Sequence, residues 1–192
     1  VENLLNGLLD YLSFKTRRTF MEKISPYYSL YIKGKIDANS NSRSKVETAV
    51  ETLKESLTYK KTAEAYSALL DCYIKLGDNE SFEETILNAI SDGFTNFYTT
   101  YALYCVQTKE NPDKELTLSW FSKGLEIKDP YAYKELGTFY MYGNKCFERD
   151  LEKAKRLFIK GLELNDPIWN GYFSFGIGFA EHEMRNYEAA AI

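Results

Sequence analysis

Residues 124–130 read GLEIKDP, and residues 161–167 read GLELNDP. The two stretches lie 37 positions apart in matching surroundings, FSKGLEIKDPYAY beside FIKGLELNDPIWN. A repeat at this spacing marks a stack of similar supersecondary units. Working outward, four segments carry a large apolar residue, a small one three later and an apolar one next to it. They are Leu53/Ser56/Leu57, Ile86/Ala89/Ile90, Phe121/Gly124/Leu125 and Phe158/Gly161/Leu162, with steps of 33, 35 and 37 residues. Four positions before each first member stand Ala49, Phe82, Thr117 and Ala154. Offsets of 0, 4, 7 and 8 fall on one face of an α-helix. The small residue lets a neighbouring helix come close.

A second helical face precedes each of these. Its members are Tyr66/Leu69/Leu70/Tyr73, Tyr98/Tyr101/Ala102/Cys105 and Tyr133/Leu136/Gly137/Tyr140, at offsets 0, 3, 4 and 7. A further copy lies in WNGYFSFGIGFAEHE, in one of two registers. Asn170/Phe173/Ser174/Ile177 keeps the 37-residue step, whereas Tyr172/Phe175/Gly176/Phe179 keeps the residue types. Leu5/Leu8/Leu9/Leu12 has the same offsets near the start.

Helix-boundary residues fit this frame. The four prolines follow capping residues: Ser25-Pro26, Asn111-Pro112, Asp129-Pro130 and Asp166-Pro167. The repeated Asp-Pro therefore ends one helix and caps the next. Ser44–Glu47 and Ser81–Glu84 read as capping boxes, and Gly77-Asp78 and Gly143-Asn144 as helix ends. Residues 35–45 (KIDANSNSRSK) form the one long polar stretch and are expected as an exposed loop. Strand signals are scarce. The expected fold is all-α, about ten to twelve helices in antiparallel pairs that bury their apolar faces by stacking. It takes residues 1–192 as a single α-solenoid, divergent over 1–60 and clearer over 61–192.

Bulk properties narrow the function classes. Net charge is −4 with a pI of about 5.2, and Lys and Arg interleave with Asp and Glu. That excludes a general nucleic-acid binder, which needs a cationic surplus. No apolar run reaches the ~20 residues of a membrane span, and VENLLNGLLDYLSF is a poor signal peptide. Three cysteines, Cys72, Cys105 and Cys146, make a poor disulfide framework and point weakly to a reducing, cytoplasmic setting. The chain is expected to be a piece of a longer protein.

The pattern resembles the tetratricopeptide repeat. The segment from Tyr66 to Ile90, with Tyr73, Leu76-Gly77-Asp78 and Ala89, is similar to an ordinary unit. Residues 131–163 resemble the longer Sel-one-like variant through Ala132, Leu136-Gly137, Tyr140, Gly143, Asp150, Lys153-Ala154, Phe158 and Lys160. The match covers about 60–190; Tyr98–Leu125 lacks the Leu-Gly pair. The resemblance implies a right-handed superhelical solenoid of antiparallel helix pairs that binds a protein or peptide on its concave surface.

Aligning units on 131–163 puts three sets of residues on that inward face. They are Tyr131, Lys134, Thr138, Met141 and Tyr142; Asn96, Thr99, Leu103, Val106 and Gln107; and Glu64, Ser67, Asp71, Ile74 and Lys75. From these, Tyr131, Lys134, Thr138, Met141, Tyr142, Asn96, Thr99 and Lys75 are the candidate partner contacts. Lys75, Lys134 and Asn96 are a thin version of the carboxylate clamp that the resemblance implies for chaperone-binding members. His182 is the lone histidine, so no metal site or His-based catalytic pair is expected. Cys72 and Cys105 are expected as buried packing thiols, and Cys146 at an exposed turn after Lys145. Phe175-Gly176-Ile177-Gly178 lies in a helical pattern, outside the context of a phosphate loop. The expected function is a non-catalytic scaffold without cofactor, binding a protein or peptide and neither nucleic acid nor the membrane interior. The same residues leave open a regulatory or substrate-docking arm of a larger enzyme, or a secreted Sel-one-like protein.

Overall fold

A computed structural model describes residues 25–190. Among them are nine α-helices, one short 3-10 turn and no strand. The chain divides into two compact units, Val1–Asp92 and Gly93–Ile192. In the first unit, α1 (Pro26–Ala38), α2 (Arg43–Tyr59), α3 (Ala63–Leu76) and α4 (Asn79–Ser91) pack each on the next. In the second, a 3-10 turn (Thr95–Phe97) leads into α5 (Tyr98–Thr108), followed by α6 (Lys114–Glu126), α7 (Pro130–Tyr142), α8 (Leu151–Glu163) and α9 (Asn170–Ala190). Within each unit, short connections make sequential helices antiparallel partners. Leu5/Leu8/Leu9/Leu12 falls outside the described residues.

The small positions do what their spacing requires. Ser56, Ala89, Gly124 and Gly161 are all buried. Ser56 donates its hydroxyl to the Tyr27 carbonyl at 2.7 Å, tying α2 to α1. A Cβ on Gly124 would stand 2.7 Å from Thr99 Oγ1 and 2.9 Å from Ala132 Cβ; one on Gly161 would stand 2.6 Å from the Phe173 ring. The large residues Leu53, Ile86, Phe121 and Phe158 are fully enclosed. In the last pair the 37-residue register holds. Phe173 is fully buried with Ala180, and Phe175 is 61% exposed. Gly176 nevertheless packs, because its backbone faces the Phe158 ring.

The opening repeat is a helix stop and restart. At the same place in both copies a residue other than glycine takes the left-handed conformation, Lys128 (φ 57°) and Asn165 (φ 53°). Around Lys128 the amide of Asp129 bonds the Gly124 carbonyl, and the Lys128 amide bonds that of Leu125. These reversed bonds satisfy the last carbonyls of α6. Asp129 then accepts from the Tyr131 amide at 3.0 Å and opens α7. Asp166 accepts from the Ile168 amide at 2.8 Å, but a turn intervenes and regular helix begins only at Asn170.

Several boundaries differ from expectation. The polar stretch 35–45 is mostly helix: α1 runs to Ala38, which is buried, and the connection is only residues 39–42. Lys75 stabilises that end by donating its ammonium to the Ala38 carbonyl at 2.5 Å. Ser44 is not a cap. Ser42 holds that position without a side-chain bond, and Arg43 opens α2 with a 3.0 Å pair to Glu47. Ser81 likewise yields to Asp78, whose carboxylate accepts from the Ser81 amide at 3.0 Å. Asp78 wins because Gly77 (φ 72°) ends α3 directly before it, so the first free amides of α4 fall within its reach. Asn111-Pro112 precedes the cap of α6, which is Asp113, accepting from the Leu116 amide at 2.9 Å. Cys146 is buried, because its turn folds onto Phe121 and Leu136 with Phe147.

Candidate functional site

Helix α7 presents Tyr131, Lys134, Thr138 and Tyr142 along one stripe, at steps that keep to one helical face. They meet an aromatic row from the turn before α9 and from α9 itself. Trp169 lies 5.9 Å from Tyr131, and the hydroxyls of Thr138 and Tyr172 are 2.7 Å apart. Farther along, Tyr142 lies 5.8 Å from Phe179, which lies 6.2 Å from Phe175. Tyr142 is 57% exposed. The outcome is six rings in two groups, Tyr131, Trp169 and Tyr172 near Lys134 and Tyr142, Phe179 and Phe175 farther along.

Lys134 does not project freely. Its ammonium sits 5.5, 5.5 and 5.4 Å from the ring centres of Tyr131, Trp169 and Tyr172 and pairs with Glu135 at 2.5 Å. Three ring faces and a carboxylate hold the charge in place. Burial, followed by the Glu135 carboxylate, pushes the Tyr131 phenol up to about 12, so it remains a hydrogen-bond donor at neutral pH. At the other end Arg149 pairs with Glu183 at 2.7 Å and donates its Nε to the Met141 carbonyl at 3.1 Å. These ion pairs quench charge beside half-buried rings, with Tyr142 and Phe175 open to solvent.

Other expected contacts lie elsewhere. Met141 is not on the surface; it is enclosed with Ala154, Phe158 and Phe173, because α9 covers that side of α7. Thr99 is also fully buried and donates to the Asp129 carboxylate at 2.5 Å, a structural tie from α5 to the cap of α7. Leu103 and Val106 are buried in a separate core with Phe121, Leu136 and Phe147. Asn96 is exposed, in the 3-10 turn before α5. In the first unit Lys75 does gather with Glu64, Ser67, Asp71 and Ile74, around a cavity of about 390 Å³. The clamp reading loses both lysines as free cations, since Lys75 is bonded to a carbonyl and Lys134 is caged.

Trp169, Tyr172, Phe175 and Phe179 were not among the expected contacts. Trp169, Tyr172 and Phe179 pack partly buried against the Met141/Phe158/Phe173 core, and only Phe175 of the four stands out into solvent; the signal is the density of rings from Trp169 to Phe179. His182 is exposed between Glu181 and Glu183, which pair with Lys155 (2.9 Å) and Arg149. Among the described residues no group of His, Cys, Asp and Glu is arranged to hold a metal ion. No described helix is long and apolar enough to cross a membrane. Compared with known proteins, the chain matches no family model, no curated protein and no solved structure.

Proposed function

We propose that this chain is a non-catalytic helical-repeat scaffold that binds a protein or peptide through the aromatic face of α7 and α9. Its helix pairs are taken as tetratricopeptide and Sel-one-like units stacked in a right-handed solenoid. Support for the repeat reading comes from the spaced small residues and the duplicated stop-and-cap at Lys128-Asp129 and Asn165-Asp166. Support for binding rests on one observation: large rings left open to solvent, Phe175 and Tyr142, continue a packed aromatic row. Exposed contiguous rings mark interaction surfaces, and aromatic anchors dominate binding energy where a partner covers them. With Lys134 and Arg149 already paired, the face favours an apolar, weakly charged segment.

The reading is tested with a photo-crosslinking residue at position 175, compared with one at exposed position 122 on α6, in the native host. A discrete partner should be captured from 175 only, with its yield reduced several-fold by Tyr142→Ala. Equal capture from both positions would refute the assignment.

A further inference from the structure

A second groove lies on another side of α8. We propose that the slot between α7 and α8, where an apolar floor meets two unpaired cations, Arg156 and Lys160, docks an acidic peptide segment bearing one aliphatic anchor. The slot is open and shallow, with about 440 Å³ of space. Leu136 and Leu157 form its floor, so the opening reaches core side chains that pack with Phe121 and Phe147. Lys153, Arg156 and Lys160, spaced at steps of three and four along α8, line the rim.

The charges of α8 divide into two sets. Lys155 is spent on Glu181 of α9 at 2.9 Å, and Lys153 is held by the capping Asp150 at 3.0 Å, over the Tyr140 ring at 5.2 Å. Arg156 and Lys160 enter no ion pair among the described residues. The one carboxylate lining the slot is Glu163, at the end of α8. The slot is therefore locally positive on a chain whose net charge is −4. A guanidinium such as Arg156 receives a carboxylate through two parallel N–H donors, and Lys160 one turn away takes the next. Between them an aliphatic side chain reaches Leu136 and Leu157. Two free cations are too few for a nucleic-acid backbone, and a concave slot suits a side chain better than a flat lipid surface.

The test is fluorescence anisotropy on the whole chain with a labelled peptide Asp-Glu-Leu-Asp-Glu, its amide counterpart Asn-Gln-Leu-Asn-Gln and its basic counterpart Lys-Arg-Leu-Lys-Arg. The acidic peptide should bind about tenfold tighter than the amide one, and weaken as salt rises from about 0.05 to 0.5 M. Arg156→Gln/Lys160→Gln should remove that advantage without changing the thermal midpoint, since both side chains are exposed. Arg156→Glu/Lys160→Glu should transfer the preference to the basic peptide. Phe175→Ala should leave all of this unchanged, which separates the slot from the aromatic face. The proposal is overturned if no acidic peptide binds, if acidic and amide peptides bind alike, or if the double variants keep the acidic preference. Binding to phosphatidylserine vesicles without peptide binding would overturn it in favour of a membrane surface.

Discussion

Replacing Gly137 with alanine adds one methyl group to α7, and the structure fixes where it goes. The new Cβ would stand 2.4, 2.8 and 2.9 Å from three atoms of the Phe158 ring. Carbon atoms in contact prefer about 3.5–4.0 Å, so the overlap is on the order of 1 Å. The ring has no retreat: it is fully buried, and its other edge lies where a Cβ on Gly176 would be 2.6 Å away. Relief requires α7, α8 and α9 to separate. Overpacking of this kind costs about 1–3 kcal/mol, offset by up to ~1 kcal/mol because alanine suits a helix better than glycine. The net loss is about 0–2 kcal/mol, which lowers the melting midpoint by up to roughly 6 °C in a domain of this size. Urea unfolding followed by tryptophan fluorescence reads the second unit directly, because both tryptophans, Trp120 and Trp169, belong to it. Gly178→Ala is the control. It lies in α9 with open space around its Cβ position, so it should stabilise by about 0.5–1 kcal/mol. Phe158→Leu should relieve much of the Gly137→Ala penalty, making the pair non-additive. A Gly137→Ala protein as stable as Gly178→Ala, or costs that simply add with Phe158→Leu, would refute the packing argument.

Asp129→Ala removes the cap of α7 and strands the buried Thr99 hydroxyl, so it should destabilise by about 1–2 kcal/mol in the same urea assay; an unchanged midpoint would count against that tie. Four carboxyls are held below their usual range: Asp78 by the Ser81 amide, Asp150 by the Lys153 amide, Asp92 first by Lys61 and then by Tyr66, and Glu181 by Lys155. A depressed pKa contributes stability above the unfolded value, about 4, and loses it as pH falls through the folded values. The urea midpoint should therefore stay level down to about pH 5 and drop below about pH 4, less steeply in Asp150→Asn. All three thiols are buried, and burial pushes Cys72 up to about 11. A thiol-specific disulfide reagent should react slowly with folded protein and promptly with all three cysteines in urea, and prompt native reaction would place a cysteine at the surface.

Helix faces were legible because their signal is local: offsets of three and four name the buried residues whatever the partner. Tyr66, Leu69, Leu70 and Tyr73 are all buried as the pattern requires. Cap identity was less legible, since it depends on where the preceding helix stops. Lys128 gives no compositional sign of its left-handed turn. The inward face was least legible, because repeat alignment predicts where a side chain points and not what covers it. Met141 and Thr99, expected as open contacts, are enclosed, Met141 with Ala154, Phe158 and Phe173 and Thr99 against the cap of α7. Of the two registers open for the last unit, the one that keeps residue types would bury Phe175, which is 61% exposed, whereas Tyr172 and Phe179 sit partly buried at the edge of the core.

The glycines that pack the second unit also build its candidate site. Phe158 wedges between the bare backbones of Gly137 and Gly176, and that fit sets how closely α7 approaches α9. The same approach brings Thr138 within 2.7 Å of Tyr172, folds three rings around Lys134 and lays Tyr142 beside Phe179. Core and surface are therefore not independent here. Any substitution that spreads the two helices by the width of a methyl group opens the Lys134 cage and splits the aromatic row, even where the chain still folds. Gly137→Ala should thus weaken capture at position 175 by more than its unfolded fraction accounts for, whereas Gly178→Ala, on the open side of α9, should leave capture intact.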